Sequence, residues 1–115
     1  MTVKLNKKAF DHAKSLIKDN KVVIDTRDDW SEHAPSTKDE SAFLDKNGSA
    51  EYSKWFLGVD DEHPEGQKGR YKFPYGDFKK IHRCAVISGE SRAGQYDHDD
   101  IRDALGTLLE RLDEH

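Results

Sequence analysis

Apolar side chains recur at helical spacing in two segments, one near each end of the chain. In residues 7–19 they share one face, and Asn6 is suited to cap the first turn. Near the other end, Asp97 or His98 begins a helix with acidic residues in its first turn. Its apolar stripe comprises Ile101, Ala104, Leu105, Leu108, Leu109 and Leu112. Both faces are expected to pack into the protein's own core.

Shorter patterns predict the elements between these two helices. A helix over about 38–46 stops at Asn47-Gly48, a second one covers about 50–57, and a third runs from Phe78 to about Gln95. Strands compete with the last two, at 55–59 and at 81–87. A polar loop is expected at 26–36.

These patterns predict a mainly α fold, a small single-domain helical bundle over residues 1–115 with an extended aromatic segment. Its aromatic centre is expected to comprise Trp55, Phe56, Tyr71 and Phe73. The alternative is an α+β fold with a small sheet formed by Val22–Ile24 and residues near Tyr71.

Composition limits the class of protein. The chain has 115 residues, 37% of them charged and 34% hydrophobic, with a net charge of -4. This predicts one small domain with polar connections. A single cysteine allows no intramolecular disulfide, and no apolar run is long enough to cross a membrane. The polar N-terminal residues contain no signal-peptide pattern, so we expect a cytoplasmic protein without membrane partners.

Residues 68–83 carry the clearest candidate for function, and we call them the basic-aromatic segment. They include six lysines and arginines but only one acidic residue, a local charge of +5. Tyr71, Phe73 and Tyr75 alternate with other residues, which predicts an extended backbone with aromatic rings on one side. The candidate binding residues are Arg70, Lys72, Tyr75, Lys79, Lys80, Arg83 and Arg92.

Two functions are open for this segment. The first is a non-enzymatic binding or accessory module, whose partner is a protein of unknown identity. The second is nucleic-acid binding, in which cations contact phosphates and rings stack on bases. In the alternative without a binding function, the aromatic side chains belong to the hydrophobic core and the cations are simply exposed to solvent. The acidic loop at 60–65 could also neutralise the cations.

Metal and catalytic motifs are weak. The loop carrying Asp60, Asp61, Glu62 and His63, and the pair His82 and Cys84, lack the spacing of a structural zinc site. We therefore predict no metal and no cofactor.

A small hydrolase using Ser91 or Cys84 is the third functional alternative. Residues 89–94 come near a nucleophile-elbow motif but misplace its final glycine. The sequence therefore favours a protein without enzymatic activity.

Several short motifs carry a family resemblance. They are Trp55, Leu57-Gly58-Val59-Asp60, residues 70–77, His82-Arg83, Ser91-Arg92-Ala93 and the closing helix from His98. Over roughly the C-terminal half, the chain resembles a family of small, uncharacterised bacterial proteins. It is also distantly similar to segments that accompany phage head-maturation proteases. The resemblance implies a recurring unit of mobile-element origin, and it supplies no catalytic residue.

Overall fold

The computed structural model describes residues 3–25, 29–64 and 67–114. Residues 26–28 of the predicted polar loop, and residues 65–66 beside the acidic loop's end, lie outside this description. The elements in chain order are β1 (Val3–Leu5), α1 (Lys7–Lys18), β2 (Val22–Val23), α2 (Trp30–His33), α3 (Thr37–Ser53), β3 (Phe56–Asp60), β4 (Tyr71–Pro74), β5 (Ile81–His82), α4 (Arg83–Gln95) and α5 (Asp99–Glu114).

The strands form two small sheets. β3 is the centre of one, with β1 and β4 antiparallel on either side. β2 and β5 pair in parallel, so that Val22 lies opposite Ile81 and Val23 opposite His82. The fold is therefore α+β. This corrects the mainly α prediction in favour of the α+β alternative. The predicted sheet is wrong in its pairing, because β2 pairs with β5 whereas Tyr71 lies in β4 and pairs with β3.

Long-range pairing and a local turn explain the two helices whose bounds were predicted wrongly. The second helix was expected to continue to residue 57, but α3 ends at Ser53 and Phe56 begins a strand. That strand is held on both edges by segments distant in sequence. α4 begins at Arg83 rather than Phe78, because the Asp77 side chain accepts hydrogen bonds from the N–H groups of Lys79 and Lys80 and forms a turn.

Local signals placed α1 and α5 correctly, whereas the short helix α2 lies inside the predicted polar loop at 26–36. Asn6 caps α1 by accepting a hydrogen bond from the Ala9 N–H at 3.4 Å, and Asn20 follows the helix with a φ of 63°. The predicted stop at Gly48 is a kink inside α3, with φ 85° and ψ 167°. α5 buries the predicted apolar stripe except for Leu109, which is half-buried. Among the described helices, none is long and apolar enough to cross a bilayer.

The core is centred on the ring of Tyr52. Its centroid lies 4.8 Å from that of Phe56, 5.2 Å from Tyr71 and 5.8 Å from Phe78. Trp55 stacks on Tyr75 at 5.6 Å. Three of the four rings predicted at the aromatic centre are thus buried, whereas Phe73 is half-buried. Aromatic side chains of this size contribute much of the apolar area that a small domain buries.

Gly76 lets the chain pass under this cluster. A Cβ atom there would lie 2.5 Å from the Lys80 carbonyl oxygen and 2.7 Å from Cζ3 of Trp55. The carbonyl belongs to a turn whose ends are bonded, since the Asp77 N–H donates to it at 3.2 Å. Neither neighbour is the free end of a flexible side chain, so the site has no room for a methyl group.

We therefore expect Gly76→Ala to destabilise the protein by roughly 1–3 kcal/mol, the usual range for overpacking a core. The matched control is Gly106→Ala in α5, where a Cβ meets only the Glu90 carboxylate at 3.0 Å. That change should leave stability unaltered or raise it by up to about 1 kcal/mol, because alanine favours a helix. Urea denaturation of both variants measures the difference. Equal effects would show that the contact around Gly76 is not tight.

Candidate functional site

The structure divides the cations of the basic-aromatic segment among several places. Arg70 faces the acidic loop, where its Nη1 donates to the His63 carbonyl oxygen at 2.7 Å and its Nη2 lies 4.0 Å from Asp61. Asp61 also pairs with Lys4 at 2.9 Å, which lowers the pKa of its carboxyl. Arg70 is therefore partly neutralised within the protein.

Arg83, Lys79 and Lys80 lie elsewhere. The Arg83 Nε donates to Asp113 Oδ1 at 2.8 Å, and this hydrogen bond raises the pKa of the guanidinium. Lys79 and Lys80 are exposed on the turn that Asp77 holds. Arg83 is therefore also partly neutralised within the protein, whereas Lys79 and Lys80 lie on a turn.

Lys72 and Arg92 are the two candidate cations that the fold brings together. Both line one groove of about 440 Å³, between the β1–β3–β4 sheet and α4. Among the described residues, neither has a carboxylate oxygen within 4.0 Å of its charged nitrogens. The groove therefore holds positive charge that the described part of the chain does not offset.

The rest of the groove is mainly apolar and aromatic. Its walls include Trp30, Phe73 and Tyr96, with Ala85 and Gly89 on the α4 side. Tyr96 is 59% exposed, which is unusual for a side chain of that size. The volume lies within the range of about 300–1,000 Å³ found for ligand sites. Rings beside unpaired cations suit an apolar group that carries negative charge.

Phe73 is held in a strained conformation at the wall of this groove. Its φ is 59°, a left-handed value that bulky residues rarely adopt and that costs of order 1–3 kcal/mol. The ring occupies the space above Gly58, where a Cβ atom would lie 2.8 Å from Phe73 Cδ2. On its other side it meets the His98 ring edge-on at 5.7 Å. The surrounding packing thus fixes the ring in the groove wall.

Tyr75, the aromatic residue among the candidate binding residues, lies in the core. Its side chain is fully buried. Its hydroxyl donates to the Lys54 carbonyl oxygen at 2.5 Å and lies 2.8 Å from Nδ1 of His12. Burial raises the pKa of the hydroxyl. Tyr75 therefore supports the structure and is not available to a surface ligand.

A second constellation lies in the interior, where β2, β5 and α4 meet. His82 Nδ1 lies 2.7 Å from Asp25 Oδ2, and its Nε2 lies 2.9 Å from Asp77 Oδ2. The other Asp25 oxygen accepts the Cys84 N–H at 2.7 Å, at the first turn of α4. Burial acts to raise the pKa of Asp77, but hydrogen bonds from His82 and from backbone N–H groups outweigh it and lower the pKa.

Cys84 and Ser91 differ sharply in environment. Cys84 is fully buried, and burial together with the Asp25 carboxylate raises the pKa of its thiol to about 12. The thiol is therefore protonated at neutral pH, unlike the thiolate that nucleophilic catalysis requires. Ser91 is exposed on α4.

Comparisons with protein-family models, with curated protein sequences and with solved structures found no significant match. The resemblance to small bacterial proteins and to phage protease segments stays a prediction. The functional evidence for this chain is therefore the geometry of the groove and of the buried cluster.

Sequence reasoning missed Asp25 and Trp30 as site residues. Asp25 is separated from His82 by 57 positions, and the β2–β5 pairing brings them together. Trp30, predicted only to pin a loop, lines the groove and lies 5.7 Å from the His82 ring. The short apolar run that precedes Asp25 was the available signal, because a strand there carries the next residue to a sheet end.

The burial of His12 predicts a pH-dependent stability. Burial lowers the pKa of His12 below its ordinary value of 6.5, although a hydrogen bond with the Lys54 backbone opposes this. The unfolded chain therefore takes up a proton at His12 more readily than the folded one. The resulting contribution to the free energy of unfolding is fully present above about pH 6.5. It is lost as the pH falls below that value toward the folded-state pKa of His12.

His12→Gln should flatten this part of the pH profile, since glutamine keeps a polar group beside Tyr75 but does not titrate. The measurement is the urea midpoint of wild type and variant at several values from about pH 8 to pH 5. The five other histidines are common to both proteins, so the difference isolates His12. Parallel profiles would contradict the prediction.

Proposed function

We propose that this protein is a non-enzymatic binding module, and that the groove between the sheet and α4 holds a segment of a partner protein. The segment presents an apolar side chain next to an acidic one. The observation that carries the proposal is the pair Lys72 and Arg92, which flank an aromatic groove without carboxylate partners among the described residues. An apolar side chain would pack on Phe73 and Trp30 while a carboxylate reaches the cations.

The charge distribution supports a protein partner over a nucleic acid. The chain has a net charge of -4, which repels a polyanion at long range. Arg70 and Arg83 are engaged by Asp61 and Asp113. Two groove cations suit one or two carboxylates, whereas a phosphate backbone is usually followed by a longer row of cations.

The shape of the groove also supports an extended segment. One wall is the β4 strand from Lys72 to Pro74, and the other is a face of α4 with the small residues Ala85 and Gly89. A Cβ atom at Gly89 would lie 3.1 Å from Leu105, so the glycine lets α4 pack closely on α5 behind this wall. The fixed ring of Phe73 presents apolar surface at little further entropic cost on binding.

Binding can be tested by NMR titration of the ¹⁵N-labelled protein with a short capped peptide that alternates leucine and glutamate. We expect shifts of the backbone amides of Lys72, Phe73, Gly89 and Arg92. Arg92→Ala should weaken binding roughly fivefold, since an exposed ion pair contributes up to about 1 kcal/mol. Arg111→Ala, which removes an exposed arginine outside the groove, is the matched control and should bind as wild type does.

Two further probes separate the alternatives. The same peptide with lysine in place of glutamate should not bind, because the cations would repel it. A short oligothymidine should shift the groove amides weakly or not at all. No shift with the glutamate peptide, equal weakening by both arginine variants, or tighter and strongly salt-dependent binding of the oligothymidine would each overturn the proposal, the last in favour of nucleic acid.

A further inference from the structure

Three side chains with metal-binding atoms meet in the interior of the protein. Asp25 follows β2, His82 ends β5, and Cys84 lies in the first turn of α4. Each is buried, with at most 8% of its surface exposed. One oxygen, one nitrogen and the sulfur all lie within 4.8 Å of one another. Within the described part of the chain, this is the group of three such donors that the fold brings together.

We propose that Asp25, His82 and Cys84 bind a divalent ion of the zinc class, through Oδ2, Nδ1 and Sγ respectively. A carboxylate, an imidazole and a thiol are the donors that zinc combines in proteins. The sulfur disfavours magnesium and calcium, which take oxygen donors. Three protein ligands leave a fourth position of a tetrahedral ion for water or another small donor. This inference is independent of the groove.

The groups around the three donors are arranged to orient them. The second ring nitrogen of His82 lies 2.9 Å from Asp77 Oδ2, and a carboxylate at this position holds a metal-bound imidazole in its tautomer. The backbone N–H groups of Lys79 and Lys80 fix Asp77 in turn. Asp25 is anchored through its other oxygen by the Cys84 N–H, so Oδ2 is the oxygen directed at His82.

The protons balance without any redox change. In the metal-free protein, a proton lies between His82 Nδ1 and Asp25 Oδ2, and the Cys84 thiol keeps its own. The ion forms bonds to Nδ1, Oδ2 and Sγ, and both protons leave to solvent. Two positive charges enter and two leave, so the net charge of the buried cluster does not change. Binding therefore tightens as the pH rises.

The three donors must move slightly before they can share an ion. Nδ1 and Oδ2 lie 2.7 Å apart. Two bonds of about 2.0–2.1 Å at a tetrahedral angle place these atoms about 3.3 Å apart, so the Asp25 carboxylate or the imidazole must shift by about 0.6 Å. The sulfur lies within 4.8 Å of both atoms, and a bond of about 2.3 Å to the ion would place it about 3.6 Å from each. The Trp30 ring, 5.7 Å from that of His82, shields the cluster on one side.

The test is a Co²⁺ titration of the full chain after treatment with a chelator. Binding through Cys84 should produce a near-ultraviolet band from sulfur-to-cobalt charge transfer, together with the visible bands of a four-coordinate ion. Both should saturate at one equivalent of Co²⁺, and Zn²⁺ should remove both. Cys84→Ala should lose the charge-transfer band. His63→Ala removes a second His–Asp pair, in which His63 Nε2 lies 3.9 Å from Asp60 Oδ2, and should retain the band.

Paramagnetic broadening in wild-type protein keeps the test valid if Cys84→Ala does not fold. Co²⁺ should broaden amide resonances centred on Asp25 and on residues 82–84. Absence of the charge-transfer band in wild type, its persistence in Cys84→Ala, or broadening centred on His63 or His12 would overturn the proposal. In that case the cluster only holds the fold together, with Asp25 capping α4.

Discussion

The buried carboxylate of Asp25 is the contact on which the arrangement of the middle of the chain depends. One oxygen accepts the N–H of Cys84 and the other lies 2.7 Å from His82. Helix α4 has no cap from its own N-cap residue, so a residue 59 positions away supplies the acceptor and places negative charge at its N-terminus. A buried carboxylate is costly unless it is paired and hydrogen-bonded, and both its oxygens are engaged here. The β2–β5 pairing and the start of α4 are consequently one unit.

The aromatic core imposes a second constraint, on the course of the basic-aromatic segment. Trp55 and Tyr75 stack, and Gly76 passes so close to Trp55 that a side chain has no space. The chain then turns at Asp77 and enters β5, which places His82 between Asp25 and Asp77. The alternation of aromatic and charged residues in this segment is therefore explained mainly by the packing of the rings in the core. The packed backbone sets the direction of each cation, and among the described cations of this segment only Lys72 lines the same groove as Arg92.

The sequence predicts the parts of this fold that local patterns determine. The caps of α1, the break at Gly48 and the stripe of α5 depend on residues within a few positions of each other. The strand at Phe56–Asp60 does not, because Tyr52, Trp55 and Phe56 fit a helix equally well until β1 and β4 pair with that strand.

The candidate site residues also divide into those that local sequence predicts and those that it does not. Lys72 and Arg92 were identified by type and charge, whereas the position of Asp25 depends on a parallel pairing that local sequence does not encode.

Helix α4 links the two proposed sites without making one depend on the other. Its first turn carries Cys84 in the cluster and Ala85 in the groove wall, and its later turns carry Gly89 and Arg92, which also line the groove. Trp30 contacts both places, since it lines the groove and lies beside His82. An ion at the cluster would therefore reinforce one wall of the groove by fixing the start of α4. The groove already has its shape from other contacts, because Phe73 is packed over Gly58 and beside His98. The proposed groove binding and the proposed metal site therefore share a helix, but each can be tested without the other.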